Sequence, residues 1–515
     1  LMLRGQRAGV GRQLRTAIGR LRRYWQRLPG SARGSTLAVM AIVMAARLYY
    51  LVAYPLSTDE IASFDYFVSQ GPRVIFSYYP IPNNHLLYNL LAWPLSLTGL
   101  PPSLVMRLPT WLLGSASLPL VVSLLGRVIG LRRALVGTLL VGLAPLDVYY
   151  GAVGRGYGLQ LVMLQLGFFA VLQLLRPASG YRQLAWAALE LSSIVGLLLV
   201  PSYVYPLSAL LLGLAVGICR AKNWSAIGSL ALAAGAIGAI ALLLYTPIGA
   251  VSGWDRLLAN RYVSARAATE FWSGFRPRLY EVAAELLVPS VRVSGPLLLG
   301  LALLGGAIGS RLTSGLRRRA ALLTWLLVAL PIVLLVAQRV FPLARVLLYV
   351  PWAGCVWLLV AWPRGKNTRG KNTGRVRPWA MRLAIMVLAG LGLFRLYWQT
   401  PGLRGLQNET YLVQQAYHWL QQTGHSRGLG PVVGLQAPIH ELFFAHYLAL
   451  APHPNMRLVS YRAKKPTVFY DFIVLTHAAA ATGCRVPATY VASYSDDLVT
   501  IYTHPIPHPQ PIRLP

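Results

Sequence analysis

The strongest constraint in this sequence is the recurrence of uncharged apolar windows long enough to cross a bilayer, which takes about 17 to 25 residues as a helix. They fall at roughly 36–56, 103–126, 131–149, 157–175, 183–199, 203–219, 226–247, 293–309, 320–338, 343–362 and 379–397. Hydrocarbon offers no hydrogen bonds, so each window must satisfy its backbone internally by coiling into a helix. Of the 515 residues 56% are hydrophobic and only 12% charged, which excludes an ordinary soluble domain. The expectation is an all-α polytopic membrane protein of about eleven transmembrane helices.

Charge placement gives these helices a direction. The chain carries 48 Lys and Arg against 14 Asp and Glu, a formal charge of +34. With the N-terminus cytoplasmic, the inner segments are 1–34, "RVIGLRR", "RPASGYR", "CRAKNW", "SRLTSGLRRR" and "PRGKNTRGKNTGRVR", all basic and none with a carboxylate. That is the pattern of short cytoplasmic loops. The acids fall on the other side: Asp59, Glu60, Asp65, Asp147, Asp255, Glu270, Glu281, Glu285 and five more after residue 398. Glu190 and Arg47 lie within spans, where an intramembrane pairing would hold them. The positive charge thus follows from topology and from attraction to anionic lipid, and no nucleic-acid motif accompanies it. The chain is expected in a plasma membrane, or an inner membrane in a bacterium. Its first span reads as an uncleaved signal anchor.

Three regions follow. Residues 1–34 form a basic cytoplasmic segment, either an amphipathic helix on the membrane surface or a disordered anchor. Residues 35–397 form the membrane domain, with large outer loops at 57–102 and 248–292. Residues 398–515 alternate helical stretches ("ETYLVQQAYHWLQQTG", "IHELFFAHYLAL") with strand-like ones ("PVVGLQ", "FYDFIVLT", "ATYVAS", "LVTIYTH"), which suggests a small extracytoplasmic α/β domain. Cys219, Cys355 and Cys484 fall in an inner loop, a span and the outer domain, so they cannot pair.

The scarce carboxylates Asp59 and Glu60 stand side by side in "STDEIASFDYF", directly after the first span. Ser57-Thr58-Asp59-Glu60 fits a capping box, with Ser57 capping a helix and Glu60 closing it. A capped helix would also fix the direction of Asp59, so structural and chemical readings coexist. An Asp costs about 2.5–3.5 kcal/mol at the bilayer centre. Just beyond a span end it sits near water.

The order of this acidic pair, "PNNHLLYNLL", "RLPTWLLG", "LLGRVIG", "APLDVYYGAVGRGYGL" and "FPLARVLLYVPW" resembles the GT-C superfamily of integral-membrane glycosyltransferases, in the branch of protein O-mannosyltransferases and bacterial aminoarabinose transferases. The likeness spans roughly residues 36–360. It implies a GT-C-like fold and transfer of a sugar from a polyprenyl-phosphate donor to a glycan, lipid or protein acceptor on the outer side. It also implies a first-loop acid as the catalytic group, here Asp59 with Glu60. At the end of that loop a Lys-Pro-Pro-Leu-Tyr pattern of the family becomes Asn84-His85-Leu86-Leu87-Tyr88. The phosphate-contacting Lys is missing, and His85 is the candidate to replace it.

Displacement at an anomeric carbon needs a base for the acceptor hydroxyl, worth about 10²–10⁴ in rate, and cations for the leaving phosphate. Candidate cations are Arg155, Arg345, His85 and Arg256, Arg261 and Arg266 of the second long loop. Arg155 is flanked by glycines that allow close backbone approach, or it is an interfacial anchor. Arg345 stands at a span start, where snorkelling is ordinary. Asp147 and Tyr88 are candidates for orienting the acceptor. No metal-ligand spacing is present, and arginines suffice for a monophosphate carrier; a divalent Mg²⁺ or Mn²⁺ at Asp59/Glu60 is the alternative. A transporter or flippase for lipid-linked precursors would instead place its polar groups at the midplane on broken helices.

Overall fold

The structure is a computed structural model; it describes residues 2–176, 180–259, 264–286, 315–341, 343–361, 378–405, 408–425, 431–450, 456–461, 470–481, 484 and 486–505. Two compact units divide the chain. One holds Leu1–Ala53 and Gln70–Gln399, and the other Tyr54–Ser69 with Thr400–Pro515.

The first unit is helical: α1 (Met2–Arg27), α2 (Gly30–Ala53), then, after a short α3 (Thr58–Ser63) that belongs to the second unit, α4 (Pro72–Ser77), α5 (Leu86–Ser96), α6 (Pro102–Ile129), α7 (Leu131–Gly142), α8 (Pro145–Tyr150), α9 (Gly156–Leu174) and α10 (Arg182–Leu199). There follow α11 (Val204–Arg220), α12 (Ser225–Ser252), α13 (Trp254–Leu258), α14 (Ala268–Leu286), α15 (Gly315–Gln338), α16 (Val350–Ala361) and α17 (Pro378–Gly405), whose end runs into the second unit. Among the described residues, eight helices are long and apolar enough to cross a membrane. The protein is thus an all-α integral membrane protein with a small additional sheet unit.

Eight of the eleven expected windows coincide with these helices. The window 131–149 breaks: α7 stops at Gly142, and Pro145 starts α8 as its first residue with Ala144 extended before it. Proline lacks the N–H that would continue the ladder, and it pushes the residue before it out of the helical region. The window 379–397 falls in α17, and 293–309 lies outside the described residues, as do Arg261 and the duplicated "RGKNT". The N-terminal segment is helical and docked. Arg20 stacks over the Tyr181 ring at 4.9 Å, Arg127 over Tyr24 at 5.4 Å, and the Leu184 amide donates to Gln13.

Arg107 of "RLPTWLLG" is a buried arginine, 1% exposed, whose guanidinium donates to the Leu51 carbonyl at 2.9 Å. That carbonyl is among the last four of α2, which have no intrahelical partner, and a cation there also meets the negative end of the helix. The residue is therefore a clamp between α2 and α6.

In the second unit, α18 (Asn408–His425) precedes β1 (Val432–Leu435), α19 (Pro438–Leu450), β2 (Arg457–Ser460), β3 (Phe472–Thr476), α20 (His477–Ala481), β4 (Val491–Ser495) and β5 (Val499–Thr503). The sheet order is β2-β1-β3-β5-β4, parallel for β2, β1 and β3 and antiparallel for β5 and β4. Central β3 is buried over Phe472–Leu475, as a parallel-sheet strand covered on both faces must be. The four expected strands are present. The edge strand β2 was not expected from the sequence, since four residues beginning with Arg457 give almost no alternation to read.

Candidate functional site

In the membrane unit the polar candidates gather where α9 begins. Arg155 is the residue before the helix, 3% exposed. A Cβ on Gly154 would come within 2.7 Å of the Met106 carbonyl, and one on Gly156 within 2.4 Å of the Leu199 carbonyl. The flanking glycines therefore let this backbone press between α6 and the end of α10. The Arg155 guanidinium donates to the Asn83 side-chain carbonyl and lies 5.9 Å from the Tyr157 ring. Asn84 fixes the turn that carries these groups: its amide donates to the Ile75 and Tyr78 carbonyls and its oxygen accepts from Asn89.

His85 is buried beside them, its ring 5.2 Å from that of Tyr157. Its Nδ1 lies 2.7 Å from the Leu199 carbonyl, an acceptor, so Nδ1 carries a proton. Burial holds the His85 pKa well below its ordinary 6.5, and the positive charges of Arg155 and Arg345 depress it further against the opposing Leu199 hydrogen bond. The ring is therefore neutral, with a lone pair on Nε2. This corrects the expectation of His85 as a replacement cation: with its only N–H committed to Leu199 it accepts hydrogen bonds and cannot donate one to a phosphate. Arg345 lies half-buried in the 3₁₀ turn Ala344–Leu347, and its charge reaches His85. Burial and Tyr157 push the nearby Tyr79 hydroxyl up to about 12 despite the lowering effect of Arg155.

Two other candidates have structural roles. Tyr88 is fully buried; its hydroxyl donates to the Met106 carbonyl and accepts from Thr110, which ties α5 to α6 and leaves no surface for an acceptor. Asp147 forms an ion pair with Arg47 at 2.7 Å, with side chains 8% and 10% exposed. Arg47 thus pairs with Asp147 and not with Glu190, the other ionisable residue within a span. The break at Pro145 explains the difference, since it turns α8 so that Asp147, in its first turn, meets α2. The pair borders a cavity of about 60 Å³ that Thr110 and Gln165 also line. Of the loop cations, Arg266 is half-buried and paired with Glu270 at 3.0 Å, and Arg256 donates to the Pro80 carbonyl.

Asp59 and Glu60 sit in the second unit, on α3. The capping box is formed: the Glu60 amide donates to the Ser57 hydroxyl, and the Glu60 carboxylate accepts from the Ser57 amide at 2.8 Å and its hydroxyl at 3.0 Å. Glu60 is fully buried, so it closes the cap, while Asp59 in the same first turn is half-buried. A π-helical turn, Phe64–Val68, follows, and its Asp65 lies 3.0 and 3.2 Å from Nδ1 of His446 on α19. The Phe64 ring meets His446 edge-on. Nε2 of His446 is buried without a partner among the described residues. Nothing in the sequence announces this contact across almost four hundred residues. Among the described residues no group of three His, Cys, Asp or Glu side chains is placed to hold a metal ion, and Oε2 of Glu60 accepts both hydrogen bonds from Ser57.

No protein-family model and no curated protein matches the chain. Among solved structures it is similar to the crystal structure of ArnT from Cupriavidus metallidurans in the apo state, at 12% sequence identity and a TM-score of 0.45, over 92% of this chain and 98% of that one. A likeness that remote carries no weight on its own.

Proposed function

We propose that this protein is a membrane glycosyltransferase that moves a sugar from a polyprenyl-phosphate donor to an acceptor on the extracytoplasmic side by single displacement with inversion. The observation that carries this reading is the buried Arg155 guanidinium placed just before the N-terminus of α9, where Gly154 and Gly156 let the backbone press against its neighbours. Arg155 and Arg345 are the proposed ligands of the donor phosphate, and the N-terminus of α9 adds its partial positive charge. The acceptor oxygen forms the new bond to the anomeric carbon as the bond to the phosphate oxygen breaks. The electron pair leaves with the polyprenyl phosphate and the acceptor proton passes to Asp59. Neutral His85 has a lone pair with which to accept a hydrogen bond from a sugar hydroxyl, and Glu60 holds α3 through its cap. The N-terminus is cytoplasmic and residues 398–515 extracytoplasmic in this reading, in line with the acid-free basic loops.

Purified protein in proteoliposomes, given a radiolabelled polyprenyl-phosphate sugar and a membrane extract as acceptor source, tests the reading. Transfer or slow hydrolysis of the donor is expected. Asp59→Asn should lower transfer by about 10²–10⁴ with donor affinity unchanged, since Asn caps a helix well but cannot take the proton. Movement of intact donor across the membrane with no chemistry would replace the enzyme by a flippase.

A further inference from the structure

At the end of the bundle where α9 and α11 finish and α15 starts, a cavity of about 360 Å³ opens between the helices. Its rim carries Arg220, Arg318 and Arg319, and its wall is apolar, built from Leu175, Leu322 and Leu323. Arg220 and Arg318 are exposed, and Arg319 donates to the Leu175 carbonyl. No carboxylate among the described residues pairs with any of the three. In sequence, "RPASGYR", "CRAKNW" and "SRLTSGLRRR", which include or flank these helix ends, contain no Asp or Glu. The crowding is felt nearby: burial, then Arg127 and Arg319, lower the pKa of Arg176. Such a cluster needs an external counter-anion, and the positive N-terminal end of α15 favours one in the same place.

We propose that this cavity binds the phosphate headgroup of an anionic membrane phospholipid, its acyl-glycerol portion resting on the leucine wall. A free phosphate would satisfy the arginines yet leave that wall wet, whereas an amphiphile meets both surfaces, as basic pockets between membrane helices do. The volume lies within the usual range of small-molecule sites. The site is separate from the residues proposed for glycosyl transfer, and its test does not use that activity.

The probe is phosphatidylglycerol with a fluorescent tail, titrated into the full-length protein in neutral detergent, with phosphatidylcholine bearing the same tail as control. Phosphatidylglycerol should bind and phosphatidylcholine should not. Arg220→Gln with Arg318→Gln should weaken binding by at least about tenfold, the loss expected for charge-assisted hydrogen bonds. Arg22→Gln with Arg23→Gln, an equal charge change on exposed positions of α1, should leave it unchanged. Equal losses in both pairs, or none in the first, would overturn the site. Displacement of the lipid by low-millimolar inorganic phosphate would make it a soluble-anion site and overturn the lipid assignment. Photo-crosslinking phosphatidylglycerol to the wild-type chain gives an answer independent of variants: adducts should map to peptides containing Leu175 or residues 315–323, and adducts confined elsewhere would refute the proposal.

Discussion

Two buried arginines of the membrane unit, Arg47 and Arg155, are nearly equal in exposure and opposite in consequence. Arg47 meets Asp147 in a 2.7 Å ion pair, so its charge is matched on the spot. Arg155 donates to the neutral side chain of Asn83, and its field still acts on His85 and Tyr79. Burying a charge costs several kcal/mol, and a fold keeps one either by pairing it or by giving it an anion to hold. Arg47 follows the first course. In the proposed function Arg155, with Arg345, meets the donor phosphate, and that role would separate a binding group from the bundle fastener Arg47.

The comparison is broken most severely at Asp147. Asp147→Ala strands Arg47 and should cost about 3–5 kcal/mol, seen as a large fall in melting temperature or in yield of folded protein. The double variant Arg47→Met/Asp147→Leu should recover most of that loss, because replacing both partners by apolar groups removes the buried charge altogether. If Asp147→Ala melts like the wild type, the pair is not a fastener.

A smaller effect of another kind is expected at Arg155. Arg155→Ala should weaken donor binding by about 1.5–3 kcal/mol, ten- to a hundredfold, through one lost charge-assisted hydrogen bond. Calorimetry with a polyprenyl phosphate reads this directly, and Arg47→Ala should not reproduce it in whatever folded fraction survives. Equal affinity in wild type and Arg155→Ala would remove the residue from the donor site.

The smallest effect is a pH slope from His85. Its folded pKa lies well below 6.5, so below that pH the unfolded chain binds a proton that the folded chain refuses. Stability should therefore fall as pH drops from 6.5 toward the folded value, by at most about 1.4 kcal/mol per pH unit. His85→Gln, melted alongside at pH 7 and pH 5, should show a flatter dependence. An identical slope in both proteins would mean that His85 is not held neutral.

Much of this was legible in residues close together in the chain. Span positions follow from apolar windows, because lipid leaves a helix as the only closed form for one segment. The capping box at Ser57–Glu60 was readable because its partners are three residues apart. The glycines around Arg155 pointed to close packing, and the structure supplies the carbonyls they approach. The break of 131–149 at Pro145 was readable in principle, since one proline decides it, but hydropathy averages over it.

By itself the sequence determined the class of protein, the acid-free basic loops and the local caps, since these depend on hydropathy, charge and spacing within a few residues. Only the tertiary structure decided which charges meet. Arg47 takes Asp147 rather than Glu190, Asp65 takes His446, and His85 is held neutral by burial first and then by the charges of Arg155 and Arg345, against the opposing Leu199 hydrogen bond. Pairing and proton affinity depend on distance and desolvation, which fall off over a few ångströms and are set by segments a hundred or more residues apart.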